Sequence, residues 1–136
     1  LTYPGVPSIF AGDEIGLEGS WGEDGRRTIN WDDRSQWDHS FMAQVQELIQ
    51  IRKSNDALIN GGLRWVAAEK DFILYLRESM DQSILVFVSR KGVHAKVDIS
   101  SLGLQVTQTL FGEAVSGSKF SIKAKDATQA IWEVKR

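Results

Sequence analysis

Apolar positions along the chain change their period twice. Val6-Pro7-Ser8-Ile9-Phe10-Ala11 is a short apolar run without alternation, closed by Gly12. That pattern predicts a strand buried on both faces, as in a parallel sheet. Pro7 has no amide hydrogen, so it belongs at the start of the strand or where no ladder bond is needed. From Asp13 to Trp37 no period holds, and glycines 16, 19, 22 and 25 stand among acids, arginines and tryptophans. This predicts a long loop of the kind that is usually functional or disordered, and Trp21, Trp31 and Trp37 argue for order. A period of 3.6 then sets in: Phe41, Val45, Leu48, Ile49 and Arg52 share one helical face. Asp38 or Ser40 can cap that helix, Arg52 and Lys53 suit the negative end of its dipole, and Asn55 is its stop.

Beyond Asn55 the period becomes two. Strands are predicted near 63–69, 72–79, 83–90, 93–99, 105–111, 118–124 and 128–134, the clearest being Ser83-Ile84-Leu85-Val86-Phe87-Val88. Asp81-Gln82, Lys91-Gly92, Gly112-Glu113 and Ser116-Gly117 mark turns between them. Short strands at ~8–12-residue spacing predict an antiparallel β-sandwich with Greek-key links. The junction 55–62 reads as a turn between packed units. Two domains are therefore expected, 1–54 and 55–136, in a chain that is mainly β.

Composition narrows the function. The 136 residues are 42% hydrophobic and 25% charged, a globular mixture long enough for a core without covalent staples. A net charge of −2 argues against nucleic acid as a partner, and no apolar run reaches the ~18 residues of a membrane span. There is no cysteine, which excludes thiol catalysis and Cys-based zinc sites and favours a cytoplasmic location. The start Leu1-Thr2-Tyr3-Pro4 carries neither an initiator Met nor an export signal and reads as the interior of a longer protein.

Strand, acid-rich loop and helix in that order place the loop at the C-terminal end of a strand, where parallel α/β architectures build their sites. The loop offers Asp13, Glu14, Glu18, Glu23, Asp24, Arg26, Arg27, Asp32, Trp21 and Trp31. Carboxylates and guanidinium bind sugar hydroxyls, and indole rings bind pyranose faces. Asp13 and Glu14 are neighbours whose side chains point apart at a strand exit, a poor pair to flank one scissile bond. His39 and His94 are isolated, no metal-ligand spacing occurs, and the glycines lack the Gly-Lys-Ser/Thr of a phosphate loop.

These residues carry a resemblance. Gly5, Pro7, Gly12 and Glu14 match Gly-x-Pro-x-x-x-x-Gly-x-Glu, the pattern of the eighth barrel strand in the α-amylase family, glycoside hydrolase family 13. Glu23-Asp24-Gly25-Arg26-Arg27-Thr28-Ile29-Asn30-Trp31-Asp32 resembles the Asp-x-Arg-Arg-x-Met-x-Trp-Asp segment of its α-glucosidase and neopullulanase-like members, departing from it at Ile29 and Asn30. Leu48–Ser54, Ala57-Leu58 and Gly61-Gly62 resemble the last barrel helix and the entry to the C-terminal β-domain.

The resemblance implies the last strand, active-site loop and last helix of a (β/α)₈ TIM barrel, followed by an antiparallel sandwich. It also implies a retaining enzyme, in which a carboxylate nucleophile forms a glycosyl-enzyme and a carboxylic acid serves as acid/base. In the family those groups follow barrel strands four, five and seven. None is then expected in this chain, which alone should be inactive. Its partners would be the remainder of the barrel and an α-glucan oligosaccharide. No cofactor is expected, with a calcium requirement of the whole enzyme left open.

By the same resemblance Arg26 lies beside the pocket and contacts substrate; Asp24 is read as its partner, Asp13 as either loop support or the rim of the site, and Trp21 as a ring to stack on sugar. Glu14, accepting loop amides, and Trp31, plugging the loop onto the barrel, are read as structural support, while Arg27 and Glu23 are read as solvated. Trp65 and Trp132 are read as sandwich core, leaving no aromatic cluster on an exposed face of 63–134. Two other functions stay in view. One is a free-standing carbohydrate-binding or purely structural sandwich. The other, within the class, is an α-glucan transglycosylase or isomerase.

Overall fold

The computed structural model describes residues 1–24 and 26–136. By internal contacts the chain divides into two compact units. One comprises Leu1 with Val6–Gln50, the other Thr2–Gly5 with Ile51–Arg136.

In the first unit the loop and helix form as their sequence predicts, and the strand does not. Val6 to Ala11 make no ladder with any described residue, and Val6 and Phe10 are 95% and 56% exposed. The apolar run has a strand's composition, but a strand buried on two faces needs neighbours on both edges. Short one-turn helices at Asp13–Ile15 and Asp24–Arg26 punctuate the loop. The helix α1 spans His39–Ser54. Asp38 is its cap: its Oδ1 accepts the Phe41 amide at 2.9 Å and the Ser40 hydroxyl at 2.7 Å, satisfying one of the orphan N–H groups of the first turn.

The second unit is an antiparallel sandwich. Its strands are β1 (Gly62–Ala68), β2 (Phe72–Glu78), β3 (Ser83–Ser89), β4 (Val93–Asp98), β5 (Gln105–Phe111), β6 (Lys119–Ala124) and β7 (Thr128–Lys135). Each lies within a residue or two of its predicted span. They pair in the order β1-β2-β3-β7-β5 in one sheet and β4-β6 in the other, so the chain changes sheet at every connection after β3. Leu74, Leu76, Leu85, Phe87 and Trp132 of the large sheet meet Ala95, Val97 and Ile122 of the small one in a continuous core. Trp132 is fully buried, stacks edge-on against Phe120 at 5.4 Å, and donates its indole N–H to Glu113 O at 2.8 Å. A buried indole needs that acceptor, because an unpaired donor there costs ~1–3 kcal/mol.

Alternate residues of the large sheet face the other way and are equally buried: Tyr75, Arg77, Ile84, Val86 and Ile131. They are covered by Thr2–Gly5 and by a helix absent from the sequence prediction, α2 (Asp56–Ile59), whose Ala57 and Leu58 are fully buried. Gln82 ties that corner together, accepting the Ala57 amide at 3.1 Å and donating to Asn55 Oδ1 at 2.7 Å, while Asn55 donates to Ile51 O at 2.6 Å. Arg77 has no exposed surface; it donates to Gly61 O at 2.7 Å, Gly62 O at 3.3 Å and Thr2 O at 2.5 Å. Arg52 donates to Tyr3 O at 3.1 Å and Gly5 O at 2.6 Å. Carbonyls of the four-residue segment Thr2–Gly5 thus accept from both buried guanidinium groups, with Gly61 and Gly62 supplying the other acceptors of Arg77.

Trp65 corrects the sequence reading. It is 50% exposed, because it sits on the edge strand β1 beside a bulge at Val66 and faces away from the sandwich interior. Among the described residues no helix is long and apolar enough to cross a membrane.

Candidate functional site

The loop is held by its own side chains. Gly12 sits at φ +100°, a conformation other residues rarely adopt, and a Cβ there would approach Leu17 to 2.7 Å. Its amide donates to Glu14 Oε2 at 2.9 Å, and its carbonyl accepts the amides of Ile15 at 3.1 Å and Leu17 at 2.9 Å. The Asp38 amide reaches back to Ile15 O at 3.0 Å, so the loop begins and ends on one anchored turn.

A second anchor lies midway. Asp24 accepts Arg27 Nε at 2.8 Å and Arg27 Nη2 at 2.6 Å, and takes the Ser20 amide at 2.8 Å. This bidentate pairing and the Ser20 amide together hold the Asp24 carboxyl at about 2, well below its ordinary value, and Asp24 raises Arg27 in turn. The sequence pairs Asp24 with Arg26 and leaves Arg27 solvated; the structure pairs Asp24 with Arg27. The helical turn Asp24–Arg26 is the cause, since it brings the side chain three residues on back over the carboxylate. Arg26 is exposed, and its guanidinium makes no hydrogen bond or ion pair among the described residues.

A third stretch runs from Asn30 to Asp38, where sequence selects Trp31 and the cap Asp38 but not the turns between them. Asn30 Oδ1 accepts the amides of Asp32 and Asp33, each at 3.1 Å, and Asp33 Oδ1 accepts the Ser35 amide at 2.9 Å. The Asn-x-Asp and Asp-x-Ser spacings are the available signal for such turns. Trp31 and Trp37 meet edge to face at 5.5 Å, with the Arg34 guanidinium 5.0 Å above Trp37.

Two clefts on this unit are lined by described residues. One, of about 490 Å³, is apolar and lined by Ile9, Ile15, Ile29, Trp31, Trp37 and Met42, with Glu14 at its wall. The other, of about 540 Å³, is polar and lined by Glu18, Arg27, Thr28, Asn30, Asp33 and Gln36. Of the sequence-selected residues, Glu14 and Trp31 reach the first cleft, while Arg26, Asp24, Asp13 and Trp21 line neither. Trp21 is 63% and Trp31 is 61% exposed, and Asp13 is exposed. The site that results is a hydrogen-bonded loop presenting the open Arg26 guanidinium and open indole faces, with Glu14, Asp24 and Asp33 committed to holding the loop.

No family model matches the chain. It is 37% identical over 91 residues, 65% of its length, to a cyclomaltodextrinase from a Bacillus species. It is 32% identical over 128 residues, 90% of its length, to neopullulanase 2 of Thermoactinomyces vulgaris. The chain spans only 16% and 22% of these two relatives. Among solved structures the debranching enzyme of Nostoc punctiforme superposes with a TM-score of 0.77 over 97% of the chain and 28% of that enzyme, at 26% identity. The chain is accordingly identified with the α-amylase family, glycoside hydrolase family 13, and corresponds to a C-terminal part of such an enzyme.

Proposed function

We propose that the chain belongs to a retaining α-glycosidase that cleaves α-glucosidic bonds in maltooligosaccharides or related α-glucosides. Residues 1–54 would close its catalytic (β/α)₈ barrel and residues 55–136 would form its C-terminal β-domain. The observation that carries this reading is the match to neopullulanase 2 across 90% of the chain, which includes the loop with its Asp24–Arg27 clamp. That clamp leaves the neighbouring Arg26 guanidinium open to solvent, as a fork for substrate hydroxyls. Asp13 and Trp21 would stand at the rim, with Glu14 and Trp31 as loop support. The nucleophile and acid/base would be supplied by sequence outside this chain.

The test is to express the full open frame that encodes the chain and assay it on cyclomaltodextrin, pullulan and maltotriose. Hydrolysis with retention of the α-anomer is expected, and R26A should lower kcat/KM by ~10–100-fold, the worth of hydrogen bonds to a charged donor. The 136-residue chain alone should show no turnover. Inactivity of the full frame on all three sugars, or turnover by the chain alone, refutes the reading.

A further inference from the structure

The sandwich unit buries two guanidinium groups, and the loop described above uses neither. Arg77 has no exposed surface and Arg52 is 9% exposed. Each nitrogen of the Arg77 fork meets a backbone carbonyl: Nη1 that of Thr2, Nη2 that of Gly61 and Nε that of Gly62. No carboxylate pairs with Arg77 among the described residues. Burial, and then the charge of Arg52, push Arg77 below its ordinary value. An apolar side chain of similar volume is commonly as stable as a buried charge, or more so. What a guanidinium adds is geometry, because its planar fork holds separate chain segments at fixed angles.

The segments held here are the two ends of the stretch that carries the loop. Gly5, which accepts from Arg52 Nη2, lies seven residues ahead of Gly12, where the first anchored turn begins. At the other end the Asp38 amide bonds Ile15 O in that same turn, and α1 follows directly, carrying Arg52 in its last turn. The Arg52 fork then returns to Tyr3 O and Gly5 O, 49 and 47 positions back along the chain. Arg77, on β2, takes the next residue outward, Thr2, and ties it to Gly61 and to the first residue of β1. Thr2–Gly5 and Ile51 onward both belong to the sandwich unit, so the stretch leaves that unit and returns to it at one clasped base.

We infer that Arg52 and Arg77 are positioning residues for the loop that bears Arg26, fixing the two chain ends from which it is carried. That this placement serves glycoside cleavage rests on the function proposed above; the clasp itself rests on the buried hydrogen bonds. The test uses the full open frame and compares R52M, R52K and R77M with the unaltered protein, by hydrogen-exchange mass spectrometry and by kinetics on maltotriose. In R52M and R77M, exchange in peptides covering 6–17 should rise about tenfold, as for a lost charge-assisted hydrogen bond, while peptides from β3 and β7 keep their protection. The misplaced loop should lower kcat/KM about tenfold or more. R26A should cost less in R52M than in the unaltered enzyme, because a loop already displaced has less of the Arg26 contact to lose. R52K keeps the charge and lacks the fork, so it should resemble R52M.

Unchanged exchange at 6–17 overturns the clasp. An equal rise in β3 and β7 overturns it too, since the arginines would then hold the sandwich and not the loop. So does an R26A penalty undiminished in R52M, or an R52K variant that matches the unaltered protein. An unaltered full frame that is inactive on every sugar sinks the enzymatic reading alone, and exchange at 6–17 still decides the clasp.

Discussion

Asp24 shows how a single side chain can set the shape of a loop. Its two oxygens are shared between one guanidinium and the Ser20 amide, and its carboxyl is lowered to about 2. A folded value below the ordinary 3.8 means the interaction is fully present above that pH and is lost as pH falls through about 2. An NMR titration of the Asp24 carboxyl should thus give a midpoint near 2, and R27M, by removing the largest cause, should return it toward 3.8. Trp132 offers a contrast in the core. W132F leaves Glu113 O without its donor and opens space beside Phe120, so urea unfolding should show a loss of ~1–3 kcal/mol. Both residues also mark what sequence conveys at this scale. An alternating apolar strand discloses that Trp132 is buried, whereas which of two adjacent arginines meets Asp24 depends on a single turn of backbone. Trp65 lies on a strand of the same alternation, and only its edge position and the neighbouring bulge expose it.

Elements were more legible than contacts. All of β1 to β7 and α1 follow from period and turn chemistry, because each has an interior face that repeats. Two elements did not follow. The run 6–11 has the composition of a buried strand, yet strand formation needs partners that composition cannot supply. The helix α2 is a four-residue turn whose Ala57 amide is met by Gln82, a residue 25 positions further on. The cap of α1 is legible and testable. D38A should cost ~1 kcal/mol in denaturant unfolding, with reduced helical circular dichroism, while D38N should be nearly silent because the amide oxygen still accepts the Phe41 N–H.

At the scale of the whole molecule, the sandwich unit includes residues from the far end of the chain. Thr2–Gly5 belong to it by their contacts, and Thr2 O completes the acceptors of a guanidinium with no exposed surface. Removing residues 1–5 should destabilise that unit by ~2–4 kcal/mol, followed by Trp132 fluorescence in urea. R77M should cost less in the truncated chain than in the complete one, because the two changes remove the same hydrogen bond. The strand order β1-β2-β3-β7-β5 was not readable from sequence, since period alone does not say which strands neighbour. That order has a consequence for how the protein is made. β3 is an interior strand, but its second neighbour is β7, and the nearest residues of that ladder, Ser89 and Thr128, are 39 positions apart. At ~5–20 residues per second, a ribosome takes about 2–8 seconds to cover that interval. Throughout it the nascent β2–β3 hairpin carries an open, apolar edge along Ile84 to Val88, available to any other chain emerging nearby. Synthesis is therefore a stage at which this polypeptide presents an apolar edge that the finished sandwich covers.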